Sequence, residues 1–408
     1  MKTKKLCELG TFKNGLNFSK SESIGSGCKI LGVSNFENNT YIPIDTLEEI
    51  NAALVKEDDL IADGDILFVR SNGNKSLVGR ILLAKDITEK ICFSGFCIRF
   101  RPNKSIINAD YLYYMLKSRY CKKQYTPSLQ TNITNLSQDT LGAVRIPILE
   151  GRTDGTNEAT LLRTIDLIIY SNKCICDALN DLARTVYDYW FTQFDFPNAE
   201  GKPYRTSGGA MEWNEQLKRE IPKGWKTGNL SDIAEITMGQ SPEGSSYNEN
   251  RQGMVFYQGC TDFGAYFPYP RVFTTAPARL AKAGDILISV RAPVGMLNIA
   301  MEDCCIGRGL AALKSKVGSQ LYLYYTLMSL RRVFDWMDGN GTTFGSITKD
   351  ILFEIKVVIP CKEMVERYEL TVKPIEKQIR TMEQETRELT ELRDWLLPML
   401  MNGQAIVE

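Results

Sequence analysis

A chain of 408 residues exceeds one ordinary core, and its 43% hydrophobic and 24% charged content reads as a soluble globular protein of several domains. Its 49 basic and 49 acidic residues balance and histidine is absent, which excludes Ser-His and Cys-His nucleophile pairs, His-held metals and imidazole bases, but not carboxylate chemistry. No apolar run has the length of a membrane span, residues 1–6 lack a signal-peptide apolar core, and eleven cysteines without a Cys-x-x-Cys pair read as small packing residues in reducing cytosol, Cys174, Cys176, Cys304 and Cys305 among them.

Residues 1–150 alternate short strand-like runs with turns. The runs at 29–33, 65–69 and 97–100 predict strands, and Gly64-Asp65 and Ser71-Asn72-Gly73-Asn74 carry turn chemistry around the middle one. The segment 110–119 predicts a helix capped by Asp110. From Leu162 the pattern changes. Leu162, Ile165, Ile169, Cys176, Leu179, Ala183, Val186 and Trp190 keep a 3-4 spacing with one polar interruption at Asn172, the pattern of a coiled-coil seam. That helix is expected to end near Phe194, ahead of Pro197.

Residues 196–225 are punctuated by Pro and Gly and read as a linker pinned by Trp213 and Trp225. The strand-and-turn pattern resumes over 226–361. Residues 362–408 carry a second seam through Val365, Tyr368, Val372, Ile375, Ile379, Met382, Thr386, Leu389, Arg393 and Leu396, which Pro374 should kink or begin. Five segments follow: 1–150, the helix 151–195, the linker 196–225, 226–361 and the helix 362–408.

The chain repeats itself. Gly64-Asp65-Ile66-Leu67 leads to Arg70, and Gly284-Asp285-Ile286-Leu287 leads to Arg291. Openings near Leu6 and Leu230 match, as do the helical runs at 111–116 and 321–327, the closures Ile146-Pro147 and Ile359-Pro360, and the late pairs Asp188/Trp190 and Asp394/Trp395. The expected fold is mixed α/β (α+β), with two tandem globular units, each followed by a long helix, related by an internal pseudo-twofold. Neither helix buries its seam alone, so the two are expected to pair as an antiparallel coiled coil. At about 1.5 Å per residue the first seam is roughly 42 Å long, or about 12 base pairs of B-DNA, which suggests a ruler.

This layout resembles the specificity subunit of type I restriction-modification systems over essentially the whole chain. The resemblance rests on the ordered set of the repeat, the Ile-Pro closures, the run 183–191 into Asp195-Phe196-Pro197, and Ile221-Pro222-Lys223-Gly224-Trp225. It implies that each unit is a target recognition domain reading one half of a bipartite, asymmetric sequence of double-stranded DNA. It implies that the coiled coil fixes the spacing of the half-sites. It also implies a cytoplasmic, non-catalytic subunit that docks two modification (methyltransferase) subunits, which use S-adenosylmethionine to methylate adenine N6. Restriction subunits using ATP and Mg would complete an endonuclease, and no cofactor is expected in this chain. Consistently, the sequence has no Asp/Asn-Pro-Pro-Tyr/Phe motif, no Walker A run and no Gly-x-Gly-x-x-Gly fingerprint.

The expected DNA-contacting residues lie beyond the repeated strands. Arg70, Ser71, Asn72, Asn74 and Lys75 offer an Arg fork for guanine, an Asn pair for adenine and backbone for phosphate; an ordinary polar turn is the alternative. Arg291 is expected in the matching place. Gln130, Thr131 and Asn132, and Asn340, Thr342 and Thr343, precede the last strand of each unit as base or phosphate ligands; the alternative is turn and capping work, with Thr134 or Asn135 capping a short helix. Lys117, Arg119, Lys122 and Lys123 read as a solvated helix end or a phosphate patch. The aromatic-polar group Tyr247, Tyr257, Gln258, Tyr266, Tyr269 and Arg271 is read mainly as core, and Trp190 and Trp395 as packing at the helix ends. The globular segments are mildly basic and the helices acidic, so a partner would supply much of the phosphate attraction. Two other readings stay open: a freestanding two-headed DNA-binding regulator, and an enzyme built on acidic pairs such as Asp58-Asp59.

Overall fold

The computed structural model describes residues 2–18, 25–36, 40–74, 77–126, 135–148, 156–340 and 346–407. The chain divides into two compact units. One is Met1–Asn172 with Glu385–Glu408; the other is Lys173–Gln384. Both long helices therefore change unit partway along, so the division by compactness falls inside them.

In the first unit a four-stranded antiparallel sheet runs Gly10–Asn14, Cys97–Pro102, Ile66–Val69, Ile81–Leu83. A three-stranded sheet runs Glu48–Asn51, Gly27–Leu31, Ile91–Phe93, the last two parallel. Ile66–Val69 reads as an unbroken apolar run because both its faces are buried. Ile66 and Phe68 enter one core with Ile98, Phe100 and the helix Ala109–Lys117, while Leu67 and Val69 enter another with Leu31, Phe93 and Cys97. The unit is closed by pairing of Lys2–Lys5 with Arg145–Ile148, with Thr3 opposite Pro147.

The second unit repeats this plan. Its four-stranded sheet runs Ala234–Met238, Leu310–Ser315, Ile286–Ser289, Leu297–Ile299. Ile286 and Ile288 face the main core while Leu287 faces a second one. A smaller sheet carries Met254–Tyr257 parallel to Cys304–Ile306, and Lys226–Asn229 pairs with Lys356–Ile359 to close the unit. The Gly-Asp turns agree in detail. Gly64 and Gly284 both have φ +90°, and the Asp65 and Asp285 carboxylates accept the N–H of Ala62 and Lys282 at 2.8 and 2.7 Å. These carboxylates hold turns and need no catalytic role.

The central helix spans Thr156–Tyr187 and passes into a single wider turn, Asp188–Thr192. The C-terminal helix spans Lys362–Met401 without a break at Pro374, so Pro374 is not its start. Every expected seam position on both is buried or half-buried. Within the first unit Arg393 donates to Asp166 at 2.8 Å and Asn172 to Glu385 at 2.9 Å. Within the second, Tyr368 Oη donates to the Ala183 carbonyl at 3.4 Å and Cys176 lies 3.8 Å from the Ile379 carbonyl. As numbers rise on one helix they fall on the other, so the pair is an antiparallel coiled coil.

Several local expectations are corrected. Asn108, not Asp110, caps the first helix, which ends at Lys117; a second helix, Arg119–Tyr125, starts from the Ser118 cap. Ser137, not Thr134 or Asn135, caps Gln138–Gly142. The linker contains a hairpin, Met211–Asn214 with Arg219–Pro222. Trp225 pins it by stacking on Phe196 at 5.1 Å, whereas Trp213 is exposed. Trp190 is 7% exposed and packs on Tyr368, but Trp395 is 60% exposed, so the repeat breaks there. Cys176, Cys304 and Cys305 are buried, and Cys174 is exposed.

Candidate nucleic-acid interface

In the first unit, the residues after Ile66–Val69 are held by two neighbouring segments. The Arg70 N–H donates to the Phe96 carbonyl at 2.8 Å, and the Arg70 carbonyl accepts the Leu136 N–H at 2.7 Å. Arg70 Nε donates to Asn135 Oδ1 at 3.2 Å, so Asn135 orients this guanidinium instead of capping a helix. Ser71 forms a β-bridge with Asn135. Asn72 Oδ1 accepts the Asn74 N–H at 2.8 Å, an Asx turn. That bond ties the Asn72 side chain to the turn. A Cβ on Gly73 would meet nothing within 4 Å among the described residues.

Phe96 was not singled out in the sequence. It sits in the tight turn between Ile91–Phe93 and Cys97–Pro102, and it is 61% exposed. With Val33, Ser71, Asn72 and Gly73 it lines a surface depression of about 430 Å³. The signal that could have found it is a large aromatic in a Ser-Gly-Phe turn joining two apolar strands.

The matching face of the second unit is built from the same hydrogen bonds and different side chains. The Val290 N–H donates to the Gly309 carbonyl at 2.9 Å, and the Val290 carbonyl accepts the Ile347 N–H at 2.9 Å. Arg291 forms a β-bridge with Ser346, as Ser71 does with Asn135. Arg291 therefore stands where Ser71 stands, one residue later than expected; the place of Arg70 is taken by buried Val290. Arg291 is exposed and followed by a cis Ala292-Pro293 bond. Arg308 and Gln258 are also exposed here, joined through the Gly309 N–H, which donates to the Gln258 carbonyl at 3.2 Å. The parallel pairs Leu31/Phe93 and Tyr257/Ile306 set the alignment: Val33 corresponds to Gly259, and Phe96 to Gly309. Both apolar walls of the first unit's depression are glycine in the second.

The other expected contacts divide. Lys75, Gln130, Thr131, Asn132, Thr342 and Thr343 lie outside the described residues, as does the side chain of Asn340. Arg119, Lys122 and Lys123 form an exposed basic face, but Lys117 leaves it and lies over the Tyr113 ring at 5.0 Å. There burial, partly offset by Asp166, holds the Lys117 ammonium below its usual range. Tyr257 and Tyr266 are core and Tyr269 is exposed. Arg271 pairs with Asp262 at 2.7 Å. Lys13 bridges exposed Asp58 and buried Asp59, so that acidic pair is an ion cluster. Among the described residues no three Cys, Asp or Glu side chains gather as a metal site, and no helix is long and apolar enough to cross a membrane.

Residues 1–151 and 222–391 match the type I restriction modification DNA specificity domain. The chain is 30% identical over 365 residues to the sequence assigned as the MjaX specificity subunit of a type I restriction enzyme in Methanocaldococcus jannaschii, covering 87% of this chain and 82% of that one. It is 24% identical to the MjaIX specificity subunit of the same organism, over 99% of this chain and 93% of the other. The crystal structure of a type I restriction-modification S subunit from M. genitalium matches with a TM-score of 0.56 at 15% identity, over 98% of this chain and 95% of that one, and so shares its fold. The chain belongs to the type I restriction-modification DNA specificity family and is a specificity subunit of such a system.

Proposed function

We propose that the first unit reads one half of a bipartite DNA target through the surface around Arg70, Asn72 and Phe96, and the second unit reads the other half through Arg291, Arg308 and Gln258. The observation that carries this reading is the repeated hydrogen-bond frame with unlike side chains on it. An arginine at a strand end can fork onto guanine O6 and N7, while a phenylalanine wall cannot, so the two faces suit different base pairs. The remaining expected contacts, Lys75, Gln130, Thr131, Asn132, Asn340, Thr342 and Thr343, are kept in this proposal as further DNA-contacting residues.

In this proposal the coiled coil sets the distance between the half-sites and docks two methyltransferase subunits. Ile175 and Leu182 on the central helix and Tyr189 in the wider turn that follows are exposed at seven-residue spacing, a stripe suited to a further helix. The partners supply the chemistry: S-adenosylmethionine-dependent methylation of adenine N6, and ATP- and Mg-dependent cleavage where a restriction subunit joins. The chain itself binds no cofactor and works in the cytoplasm. A balanced net charge fits a reader that relies on partners for part of its hold on phosphate.

The test is to express the chain with and without its methyltransferase partner and map N6-methyladenine across the genome. Methylation at one bipartite motif, only with both proteins present, is the expected result. Methylation or cleavage by the chain alone would overturn the subunit role.

A further inference from the structure

We propose that the depression between Phe96 and Val33 in the first unit is a thymine pocket, receiving the C5-methyl group while the Asn72 amino group donates to thymine O4. The proposal rests on the DNA-reading role above and names the base that this surface selects.

Three observations carry it. The depression has an apolar side and a polar rim: Phe96 and Val33 on one hand, and Ser71, Asn72 and Gly73 on the other. Phe96 is 61% exposed although its neighbours Cys97 and Phe93 are buried, so its ring is presented outward and not packed inward. The Asn72 amide is held in place, because its Oδ1 accepts the Asn74 N–H at 2.8 Å, and its amino group is the donor it offers a ligand.

In the major groove each base offers a different edge. Cytosine presents an amino donor, which would oppose the Asn72 amino group. Adenine presents a donor beside an acceptor and no methyl. Guanine presents acceptors alone and leaves the apolar walls unfilled. Thymine places a methyl beside an acceptor oxygen, matching both halves of the depression. The second unit has Gly259 and Gly309 at the two wall positions, so the apolar walls, and with them the proposed thymine selection, belong to the first unit.

The experiment uses the full chain assembled with its methyltransferase partner, on a duplex carrying the methylated motif. Each thymine of the motif is replaced in turn by deoxyuridine, which removes only the methyl. One position should weaken binding about fourfold, the factor one buried methyl is worth. Phe96→Ala should abolish that sensitivity, Phe96→Leu should keep it, and Asn72→Asp should weaken binding of the same duplex by placing an acceptor against O4. A deoxyuridine scan that is flat, or equally steep in Phe96→Ala, overturns the pocket. An assembly that methylates its bipartite motif yet gives a flat scan leaves the specificity role standing. An assembly that methylates nothing removes the reading on which the pocket rests.

Discussion

Arg70 and Arg291 show how a one-residue shift changes what a strand end presents. In the first unit the residue after Val69 is a half-buried guanidinium anchored through Asn135. In the second that place is buried Val290, and the arginine follows it, exposed. Successive strand residues point to opposite faces, so the two arginines leave their sheets in different directions. Arg291→Ala should cost about tenfold in binding, confined to one half-site, as expected for one lost guanine contact. Arg70→Ala should affect the other half, together with the order of the Asn135 segment. Binding to duplexes altered in one half at a time checks both, and an equal loss on both halves from either substitution would contradict separate readout. The cysteines make a second point at this scale. Burial pushes the Cys97, Cys176 and Cys304 thiols up to about 12, and the Cys121 thiol to about 11, away from the reactive thiolate. Cys7, Cys174 and Cys361 are exposed. Alkylation of the native protein at neutral pH, read by peptide mass spectrometry, should modify those three and spare the buried four. Labelling of Cys97 or Cys304 as fast as Cys7 would show that the sheets open.

The paired helices were the most legible elements, because a seam repeating every three or four residues is a long signal and all its positions are covered. What the seam did not reveal was the polar network across it. Asp166 is 2% exposed, accepts from Arg393 at 2.8 Å and accepts the Tyr114 hydroxyl at 2.7 Å. Arg393 was visible as a seam position, but an aspartate outside the apolar pattern gives no sign of its partner more than two hundred residues away. A buried pair fixes register more than it adds stability, because desolvation offsets most of the attraction. Arg393→Leu should therefore destabilise the first unit by roughly 3–5 kcal/mol, since Asp166 is left as an unpaired buried charge, while Asp166→Leu with Arg393→Leu should recover most of the loss. Urea melts of the three variants against the parent decide it. A double variant as unstable as Arg393→Leu alone would mean that the pair contributes net stability. The short elements were less legible. The repeated Gly-Asp turn marked one strand in each unit correctly. Phe96 escaped because one exposed aromatic has no periodicity, and the depression it lines needs Val33 and Asn72, which only the fold brings beside it.

At the scale of the whole molecule, the repeat in the sequence and the division into compact units are different cuts of the same chain. A repeat marks homologous stretches of chain, whereas compactness follows contacts. Because the helices run antiparallel, the end of each helix joins the unit where the other begins, and the divisions fall at Asn172 and Gln384. Those two positions are where added length disturbs least of each unit's own packing. Asp166 with Arg393 and Asn172 with Glu385 stay in the first unit; Cys176 with Ile379 and Ala183 with Tyr368 stay in the second. Seven residues continuing the seam, inserted after Asn172 and after Gln384 together, keep both heptad phases and lengthen the coil by about 10 Å. If the coil is the ruler between half-sites, that length corresponds to about three base pairs at roughly 3.4 Å each. The methylated motif mapped in cells carrying the lengthened chain should keep both sets of half-site letters and gain spacer. Insertion in one helix only should mismatch the seams and abolish methylation. A motif whose letters change while its spacing stays constant would assign the spacing to the recognition surfaces and not to the coil.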